Sequence, residues 1–209
     1  MAGRRKALST RRAFVCAVLA ATAAVPASGA TAASGDGPIV VSQLEANVSM
    51  TFGRREKGFM QKLAQTFVAP KEAHKLASLS LVLAGTDDAA VVKVYEVGKK
   101  PPFGTFLHEA RVPVDAQWDG TTEWQTVRIR PALAVEPGER YSIVVRAASR
   151  RMRMGAAGGT NGYRRGQRWC YCPEWNGGID YEAAHWQSDE ELGYGNDDLM
   201  FKLRFWRKD

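Results

Sequence analysis

The stretch LMFKLRFW, residues 199–206, places a leucine or a phenylalanine at every second position from residue 199 to residue 205. Lys202 and Arg204 stand between the last three of them. Successive side chains of a β-strand point to opposite faces, so this period of two is typical of a half-buried strand. The same period recurs in five earlier segments, which are residues 59–67, 77–83, 92–97, 124–129 and 141–145.

Short clusters of turn-forming residues separate these segments. They are Ala69-Pro70, Gly85-Thr86-Asp87-Asp88, residues 98–102, Asp119-Gly120 and Glu136-Pro137-Gly138. Between them the sequence has no long amphipathic helical pattern of the kind that a βαβ fold requires. Strands and turns at this spacing predict an all-β fold, a sandwich or a barrel, of which we take a single antiparallel β-sandwich as the prediction.

Residues 33–58 come before this pattern and are predicted to form a lead-in to it. Residues 33–38 consist of small, polar and turn-forming residues and are expected to be flexible. Residues 43–50 leave two alternatives open, a short helix or an edge strand. The β-sandwich domain is therefore predicted to span residues 59–209.

The first 32 residues have the composition of a signal peptide. A basic start over residues 4–12 is followed by an apolar run over residues 13–25. The run is shorter than the roughly 20 residues that a membrane-spanning helix needs. Small residues after Pro26 predict a cleavage site between Ala30 and Ala32. The prediction is a secreted, extracellular protein of a bacterium.

Two features of this leader bear on the export route. Arg11-Arg12, with Phe14 two places later, resembles a twin-arginine motif, which exports folded proteins. An ordinary secretory leader is the alternative. Cys16 lies inside the apolar run, and Phe14-Val15 before it lacks the small residue that lipidation needs. We therefore expect Cys16 to be removed with the leader.

The net charge of the chain comes mostly from the leader. The whole chain has 29 Lys and Arg against 22 Asp and Glu. Five of the basic residues and none of the acidic ones lie within residues 1–32, so 24 basic residues face 22 acidic ones in residues 33–209. This balance argues against nucleic acid or an anionic membrane as a partner. No later apolar stretch approaches membrane-spanning length, so no stable membrane insertion is expected.

The order of motifs over residues 59–206 resembles a known kind of domain. Gln-Thr-Phe-Val-Ala-Pro at 65–70 is followed by a Leu-rich strand, Val-x-Val-Tyr at 92–95, a Trp-containing turn, Pro-Gly-Glu-Arg-Tyr-Ser-Ile-Val-Val at 137–145 and a final Asp-Leu-x-Phe-x-Leu-x-Phe strand. This succession is similar to secreted bacterial jelly-roll domains of the galactose-binding-like, carbohydrate-binding-module type. The resemblance implies a sandwich of jelly-roll type.

Aromatic residues are concentrated among the glycines of residues 163–194. A flat ring on a loop suits the apolar face of a sugar, while polar neighbours take its hydroxyl groups. The alternative is that the rings cover the core, where aromatic side chains also dominate. Trp175 is expected to matter most, because Pro173 and Gly177-Gly178 bracket it in an exposed turn. The rings predicted to bind a ligand are Trp169, Tyr171, Trp175, Tyr181 and Trp186.

Charge is partitioned along the same region. Residues 140–168 contain eight arginines and no acid, and residues 174–198 contain eight acids and no Lys or Arg. Arginine suits carboxylate and phosphate groups, so Arg164, Arg165 and Arg168 are predicted to bind an anionic wall polymer or an acidic glycan. In the alternative interpretation, the two blocks neutralise each other across neighbouring strands.

Cys170 and Cys172 are the only cysteines after the predicted leader. A disulfide prefers Cα atoms about 5.5–6 Å apart, which is closer than an extended i, i+2 pair. A strand would keep the two thiols apart, and a turn would allow a tight bridge. Free structural thiols and a disulfide are both favoured over a metal site, because no Cys-x-x-Cys or nearby His pair supplies further ligands.

The sequence lacks the nucleophile-elbow, zinc-protease and phosphate-loop patterns of common enzymes. An enzyme is therefore disfavoured, although two facing acids among residues 180–198 would suit glycoside hydrolysis. Asp197 and Asp198, just before the last strand, offer oxygen ligands for a structural Ca²⁺. No other cofactor is expected.

These observations predict an exported, non-catalytic domain that binds an extracellular glycan or cell-wall polymer through residues 163–194. A structural or protein-interaction domain of the cell surface, without a small ligand, is the alternative. A small secreted glycan hydrolase or lyase comes third.

Overall fold

The computed structural model of the chain describes residues 37–44, 48–118, 123–157, 163–175, 179–192 and 197–207. The predicted signal peptide and its twin-arginine motif lie outside the described residues. The described part is nearly all β-structure, with a 3-10 turn at Glu56–Gly58 and a short helix, α1, at Asp189–Leu192. Its strands are β1 (Ile39–Gln43), β2 (Val48–Arg54), β3 (Met60–Val68), β4 (Ala73–Val97), β5 (Gly104–Ala116), β6 (Trp124–Ala134), β7 (Arg140–Ala147), β8 (Arg151–Ala157), β9 (Arg168–Trp175), β10 (Ile179–Ser188), β11 (Asp198–Leu199) and β12 (Phe201–Arg207).

The described strands pair only in antiparallel fashion, which confirms the predicted all-β, antiparallel class. Five of them close into a barrel: β4 pairs with β7, β7 with β3, β3 with β2, β2 with β8, and β8 again with β4. The other strands attach to this barrel. The pairings do not show the jelly-roll order that the resemblance implies.

The longest strand, β4, joins the barrel to the sheet outside it. Residues 73–82 pair with β6 and β12, and residues 88–97 pair with β5 and β7. On the first side, β1 extends the sheet by pairing with β12. Two further strands, β9 and β10, are added to the barrel at β3.

The turn predicted at residues 85–88 is instead an irregularity inside β4, so this prediction is wrong. The register with β5 shifts between Gly85 and Asp88, and Asp87 has a φ of 48°. The Asp88 carboxylate accepts hydrogen bonds from the Ser149 hydroxyl at 3.0 Å and from the backbone N–H of Arg150 at 2.7 Å. These bonds stabilise the irregularity, and the chain stays in β4 on both sides of it.

The predicted lead-in, residues 33–58, supplies two strands in its described part. β1 lies at the edge of the sheet, and β2 lies inside the barrel between β3 and β8. Residues 48–50 belong to β2, so they do not form the helix that was one alternative for residues 43–50. Residues 45–47 lie outside the described part. The domain boundary at residue 59 stays a prediction.

The core is formed by the inward-facing residues of β3, β4, β7 and β12. Phe201 and Phe205 of the last strand are fully buried, whereas Lys202 and Arg204 beside them are more exposed. From Phe201 onward, the alternation in the sequence is thus an inside–outside pattern, whereas Leu199 belongs to β11 and Met200 between the two strands is also buried. Burying such a leucine or phenylalanine contributes about 1.5–3 kcal/mol, so a strand of this kind strongly favours one orientation.

Residues 163–194 contain two strands in their described part, rather than the predicted loops. β9 lies between β3 and β10, with Trp169 opposite Ala64 on one side and Ser188 on the other. Alternation then places the buried Cys170 on the inner side and Tyr171 on the outer side. The loop prediction is wrong because β3 offers an edge for backbone pairing that the local sequence does not reveal.

Candidate ligand-binding site

Aromatic side chains cover the outer side of β3, β9 and β10. Tyr171 lies opposite Lys62 of β3 and Trp186 of β10 in the strand register. Its ring centroid is 5.7 Å from that of Trp186 and 5.7 Å from that of Phe59. Phe59 also contacts Tyr181, with centroids 5.3 Å apart. Three of the five rings predicted from the sequence therefore lie in one connected aromatic surface.

This surface continues across the sheet through the connection between β4 and β5. Phe103 lies edge-on to Trp186 at 5.2 Å, and Tyr95 contacts Phe103 at 5.3 Å and Phe106 at 5.7 Å. Each of these rings is half-buried or exposed, so each keeps part of its area at the surface. We call the connected side chains the ring row, in the order Phe106, Tyr95, Phe103, Trp186, Tyr171, Phe59 and Tyr181.

Lysines lie over three rings of the ring row. An ammonium group within about 6 Å of a ring centroid is attracted by its π-electrons. Burial, followed by the nearby Arg146 and Lys93, holds the pKa of Lys62 below its ordinary value. The pairs are Lys62 over Tyr171 at 4.7 Å, Lys93 over Phe106 at 5.6 Å and Lys57 over Tyr181 at 5.9 Å.

A cavity of about 930 Å³ lies at the Tyr181 end of the ring row. This volume is near the upper end of the roughly 300–1,000 Å³ found for ligand sites. We call it the arginine cavity. Its described walls come from β2, β3, β8, β9, β10 and α1, and its polar lining includes Arg54, Arg55, Arg151, Gln61, Gln187 and Tyr181.

Strand pairing brings the arginines of the cavity together from distant parts of the chain. Gly53 of β2 lies opposite Arg151 of β8, and the backbone N–H of Arg54 donates to the carbonyl of Arg150 at 3.0 Å. Gly53 has a φ of 91°, and a Cβ added there would overlap the Arg150 carbonyl. A glycine therefore permits the close approach of the two strands at the mouth of the cavity.

Arg55 is held in position within the cavity wall. Its Nε donates to Gln61 Oε1 at 2.6 Å, and its Nη2 donates to the carbonyl of Thr51 at 3.4 Å. Burial lowers the pKa of Arg55 from its ordinary value, and the like charge of Arg151 lowers it further. The two guanidinium groups therefore feel each other's charge.

Cys170 and Cys172 form a disulfide in the wall of the arginine cavity, with Cα atoms 5.5 Å apart. The Nε2 of Gln61 lies 3.2 Å from Cys170 Sγ and 3.8 Å from Cys172 Sγ. Both cysteines belong to β9, where we expected a strand to keep the thiols apart. The strand is contracted across Tyr171, which brings the two Cα atoms into the range of a bridge.

Arg168, predicted to bind an anionic ligand, is only 3% exposed. Its Nε donates to Asp189 Oδ1 at 2.6 Å, and its Nη2 contacts both Asp189 and Asp197, the latter at 3.4 Å. Burial raises the pKa of Asp189 to about 6, an effect that Arg168 partly offsets. Arg168 thus pairs with two acids of the acidic block, as in the alternative interpretation, and its role as a ligand contact stays a prediction.

The two carboxylates predicted to bind Ca²⁺ accept hydrogen bonds from the protein itself. Asp198 is buried, and its oxygens accept from Gln65 Nε2 at 2.9 Å and from the backbone N–H of Tyr163 at 2.8 Å. Asp197 faces Arg168. Within the described residues, no group of three His, Cys, Asp or Glu side chains is placed to hold a metal. Asp198 thus has N–H donors as its described partners, and the calcium site at Asp197 and Asp198 stays a prediction.

Arg164 and Arg165 lie away from the cavity. Both are exposed in the turn after Tyr163, whose hydroxyl accepts a hydrogen bond from the backbone N–H of Val68 at 3.2 Å. Val68 ends β3, whereas Gln61 of the cavity stands near the beginning of that strand. The structure therefore does not bring these two arginines together with the cavity.

Two of the predicted tryptophans, Trp169 and Trp175, are not among the side chains of the ring row. Trp169 is half-buried on β9, and its Nε1 has no hydrogen-bond partner in the part of the chain that the structure describes. Trp175 is the last residue of β9, opposite Ile179, and its side chain lies outside the described part. The special role expected for Trp175 stays a prediction.

Glycoside hydrolysis requires two carboxyl groups that flank the bond to be cleaved. Among the described residues that line the arginine cavity, Glu56 is the one acid. His185 is exposed and lies 3.5 Å from the carboxylate of Glu174 at the surface. The described walls of the cavity therefore supply groups for binding together with a single carboxylate.

Arg54, Arg55 and Arg151 are residues of one site that the sequence alone did not predict. Two Arg-Arg pairs, at 54–55 and 150–151, are visible in the sequence. About a hundred residues separate them, and no local pattern shows that β2 pairs with β8. Phe59 was noted as the start of an alternating segment, but its contact with Tyr171 depends on the pairing of β3 with β9.

No protein-family model matches the chain, and no curated protein matches it. Among solved structures, the chain is similar to the cysteine protease and lectin-like domains of Cwp84, a surface layer associated protein of Clostridium difficile, with 10% identity and a TM-score of 0.47. It is also similar to the infectious bursal disease virus VP2 subviral particle, with 9% identity and a TM-score of 0.34. The matches cover 77% and 82% of this chain but 36% and 37% of those chains, so this chain spans about a third of their length. Similarity at this level carries no argument about function.

Proposed function

We propose that this protein is an extracellular, non-catalytic binding domain for a glycan or a cell-wall polymer. The observation that carries the proposal is the ring row, which collects three of the rings predicted from the sequence and ends at the arginine cavity. Aromatic faces bind the apolar C–H face of a sugar, and an extended row of rings suits a polymer better than a single sugar.

Two details of the geometry support this proposal. The rings of Phe59 and Tyr171 are within 18° of parallel, so they present similarly oriented faces beside each other. Tyr181 belongs to both the ring row and the cavity, whose amide side chains, Gln61 and Gln187, lie on the inner side of the same strands with Cys170. Apolar faces next to amide and hydroxyl groups are the combination that a sugar, with its own apolar faces and hydroxyls, can match.

The proposal includes export and the kind of fold. Residues 1–32 would direct the protein out of the cytoplasm, through the twin-arginine route. In the part of the chain that the structure describes, no helix is long and apolar enough to cross a membrane. The motif order of residues 59–206 supports a place among galactose-binding-like, carbohydrate-binding-module domains of jelly-roll type.

A protein-interaction domain of the cell surface is the second candidate. Phe103 and Phe106, at one end of the ring row, are 38% and 53% exposed. Exposed aromatic side chains are typical of the central contacts of protein interfaces. In this case the Phe106 end of the ring row would bind a partner protein, and the arginine cavity would have no ligand of its own.

A pull-down of the purified protein on insoluble polysaccharides and isolated cell walls tests the proposal. The variants are Trp186→Ala and Tyr181→Ala, and Trp206→Ala is the matched control, because Trp206 is 44% exposed on β12, a strand that does not contribute to the ring row. Loss of one stacking ring should weaken binding about tenfold to hundredfold, by analogy with rings that stack on bases.

The two candidate functions predict different results. Binding to a polysaccharide that decreases in Trp186→Ala and not in Trp206→Ala supports glycan binding. If no polysaccharide or wall preparation binds the folded wild type, glycan binding is wrong. Capture of a surface protein that decreases in Phe106→Ala would then support the second candidate.

A further inference from the structure

We propose that the arginine cavity recognises an anionic group, a carboxylate or a phosphate, carried by the saccharide that the protein binds. This inference rests on the proposed glycan-binding function and adds the chemical class of the ligand. The residues that carry it are Arg54, Arg55 and Arg151, none of which was placed in the site by the sequence analysis.

The positive charge of these three arginines is not compensated by the described protein. None of them forms an ion pair with an acid in the described residues, and Glu56 is the one described acid in the lining of the cavity. Burial, followed by the like charge of Arg151, lowers the pKa of Arg55, so the positive charge of Arg151 acts on Arg55. An anion bound between them would remove this repulsion and add charge-assisted hydrogen bonds.

Arg168 provides a comparison within the same cavity. Its guanidinium is buried and bound by Asp189 and Asp197, so it serves the fold. The protein therefore pairs the arginine of the inner wall and leaves the three nearer the mouth unpaired. A guanidinium presents several donors in a planar fork, which matches the oxygens of carboxylate and phosphate groups.

The side chain of Arg55 and the backbone at Arg54 and Arg151 are held in position by contacts within the protein. Gln61 Oε1 accepts a hydrogen bond from Arg55 Nε, and this contact holds the guanidinium group of Arg55 in place. The pairing of Gly53 with Arg151 and the bond between Arg54 N and the Arg150 carbonyl hold the two strands together at the mouth. Donors that are already in place lose less entropy when they bind.

The cavity adjoins the ring row through Tyr181, which belongs to both. A saccharide bound at the Tyr181 end of the ring row would reach the cavity around the edge of the sheet, because the rest of the row lies on the outer side and the cavity on the inner side. A uronic acid would supply a carboxylate, and a polyol-phosphate polymer would supply a phosphate. Both present oxygens with negative charge to the same three guanidinium groups, so the experiment needs an arm for each source.

The test measures binding of the purified full chain to polygalacturonate and to a glycerol-phosphate polymer, by titration calorimetry. Methyl-esterified polygalacturonate is the matched neutral polymer, because it keeps the sugar backbone and loses the charge. The variants are Arg54→Ala and Arg151→Ala. Arg164→Ala is the control variant, because it removes the same charge from an exposed site away from the cavity.

We expect at least one acidic polymer to bind better than the neutral one, and Arg54→Ala and Arg151→Ala to weaken that binding about tenfold to hundredfold, the effect of a hydrogen bond to a charged group. Arg164→Ala should bind like the wild type. Free galacturonate or inorganic phosphate, but not galactose, should compete with the polymer that binds. This competition is measured on the wild type, so it does not depend on the folding of any variant.

Three results would overturn the inference and leave the proposed function intact. In the first, acidic and neutral polymers bind equally, and only Trp186→Ala and Tyr181→Ala weaken binding. In the second, Arg164→Ala weakens binding as much as Arg151→Ala. This result would indicate nonspecific electrostatic attraction between the protein and the polymer rather than binding in the arginine cavity. In the third, none of these three polymers binds while an insoluble polysaccharide or wall preparation does. If no polysaccharide or wall preparation binds either, both the inference and the proposed function fail.

Discussion

The side-chain amide of Gln65 on β3 donates to the carboxylate of Asp198 on β11 at 2.9 Å, across 133 positions of the chain. The same amide accepts a hydrogen bond from the backbone N–H of Leu199, also at 2.9 Å. Both side chains are buried. A buried polar group without a partner is costly, so this pair holds the two strands in one arrangement.

Gln65→Ala is expected to destabilise the protein by about 1–3 kcal/mol, the cost of leaving a buried carboxylate and a buried N–H without one partner each. The measurement is the free energy of unfolding in a denaturant. Gln125→Ala, at a half-buried position on β6, is the control and should change stability much less. Equal stability of Gln65→Ala and the wild type would show that the hydrogen bonds of Gln65 contribute nothing.

Calcium is expected to have no effect on thermal stability at this site. Asp198 already accepts hydrogen bonds from Gln65 and Tyr163, and Asp197 faces Arg168. A ligand that binds only the folded state raises its stability, by about 2.7 kcal/mol at a hundredfold excess over the dissociation constant. Thermal melts in a chelator and in excess Ca²⁺ should therefore coincide, and a clear rise of the melting temperature with Ca²⁺ would support the calcium hypothesis.

The disulfide is expected to contribute little to stability. A single residue separates Cys170 from Cys172, so the bridge restricts the unfolded chain only locally, by about 1–2 kcal/mol at most in the chain-entropy account. Thiol counting on the purified protein should find neither cysteine free without reductant and both free with it. The double variant Cys170→Ser, Cys172→Ser should lose less than about 2 kcal/mol, and a loss above about 3 kcal/mol would show that the bridge is a major structural element.

Asp189 is expected to make the folded state relatively more stable as the pH falls from about 6 to about 4. Burial raises the pKa of Asp189 in the folded protein to about 6, against an ordinary value of 3.8. Between these values the folded state holds a proton that the unfolded chain has released, so a lower pH favours folding through this group. Arg168 and Asp197 face the carboxylate, and Arg168 limits the rise.

The measurement is the difference in the free energy of unfolding between the wild type and Asp189→Asn between about pH 4 and pH 7. This difference should move in favour of the wild type as the pH falls. The carboxyl groups whose pKa is lowered, Asp88 and Glu191, act in the opposite direction in both proteins and cancel. Glu190→Gln, at an exposed neighbour, should show no such trend. A difference that does not change with pH contradicts the prediction.

The export route can be tested on the leader, which lies outside the described residues. The double variant Arg11→Lys, Arg12→Lys should block export and leave the precursor in the cytoplasm, because the twin-arginine route requires the arginine pair. Cell fractionation of the wild type and the variant measures this. Normal secretion of the variant would identify an ordinary secretory leader.

Part of the candidate site was accessible from the sequence, and part was not. The ring residues Tyr171, Tyr181 and Trp186 were selected because aromatic residues are concentrated in one segment, which is a local property. The loop assigned to that segment was wrong, because β9 and β10 form by pairing with β3 and with each other. Arg168 was assigned to an anionic ligand because its guanidinium suits carboxylate and phosphate groups, and the alternative pairing of the two charged blocks did not identify its partner, Asp189, 21 positions away.

The sequence by itself determined the class of the fold, because alternation with a period of two is a local property that each strand carries on its own. It also determined the orientation of the last strand, β12, where Phe201, Leu203 and Phe205 are buried between more exposed neighbours. Only the tertiary structure decided that β2 meets β8, that β4 continues through residues 85–88 instead of turning back, and that three arginines share one cavity with a disulfide. These features depend on hydrogen bonds between backbone groups far apart in the chain, and every residue except proline offers the same N–H and C=O groups, so the residue types alone do not specify the partner.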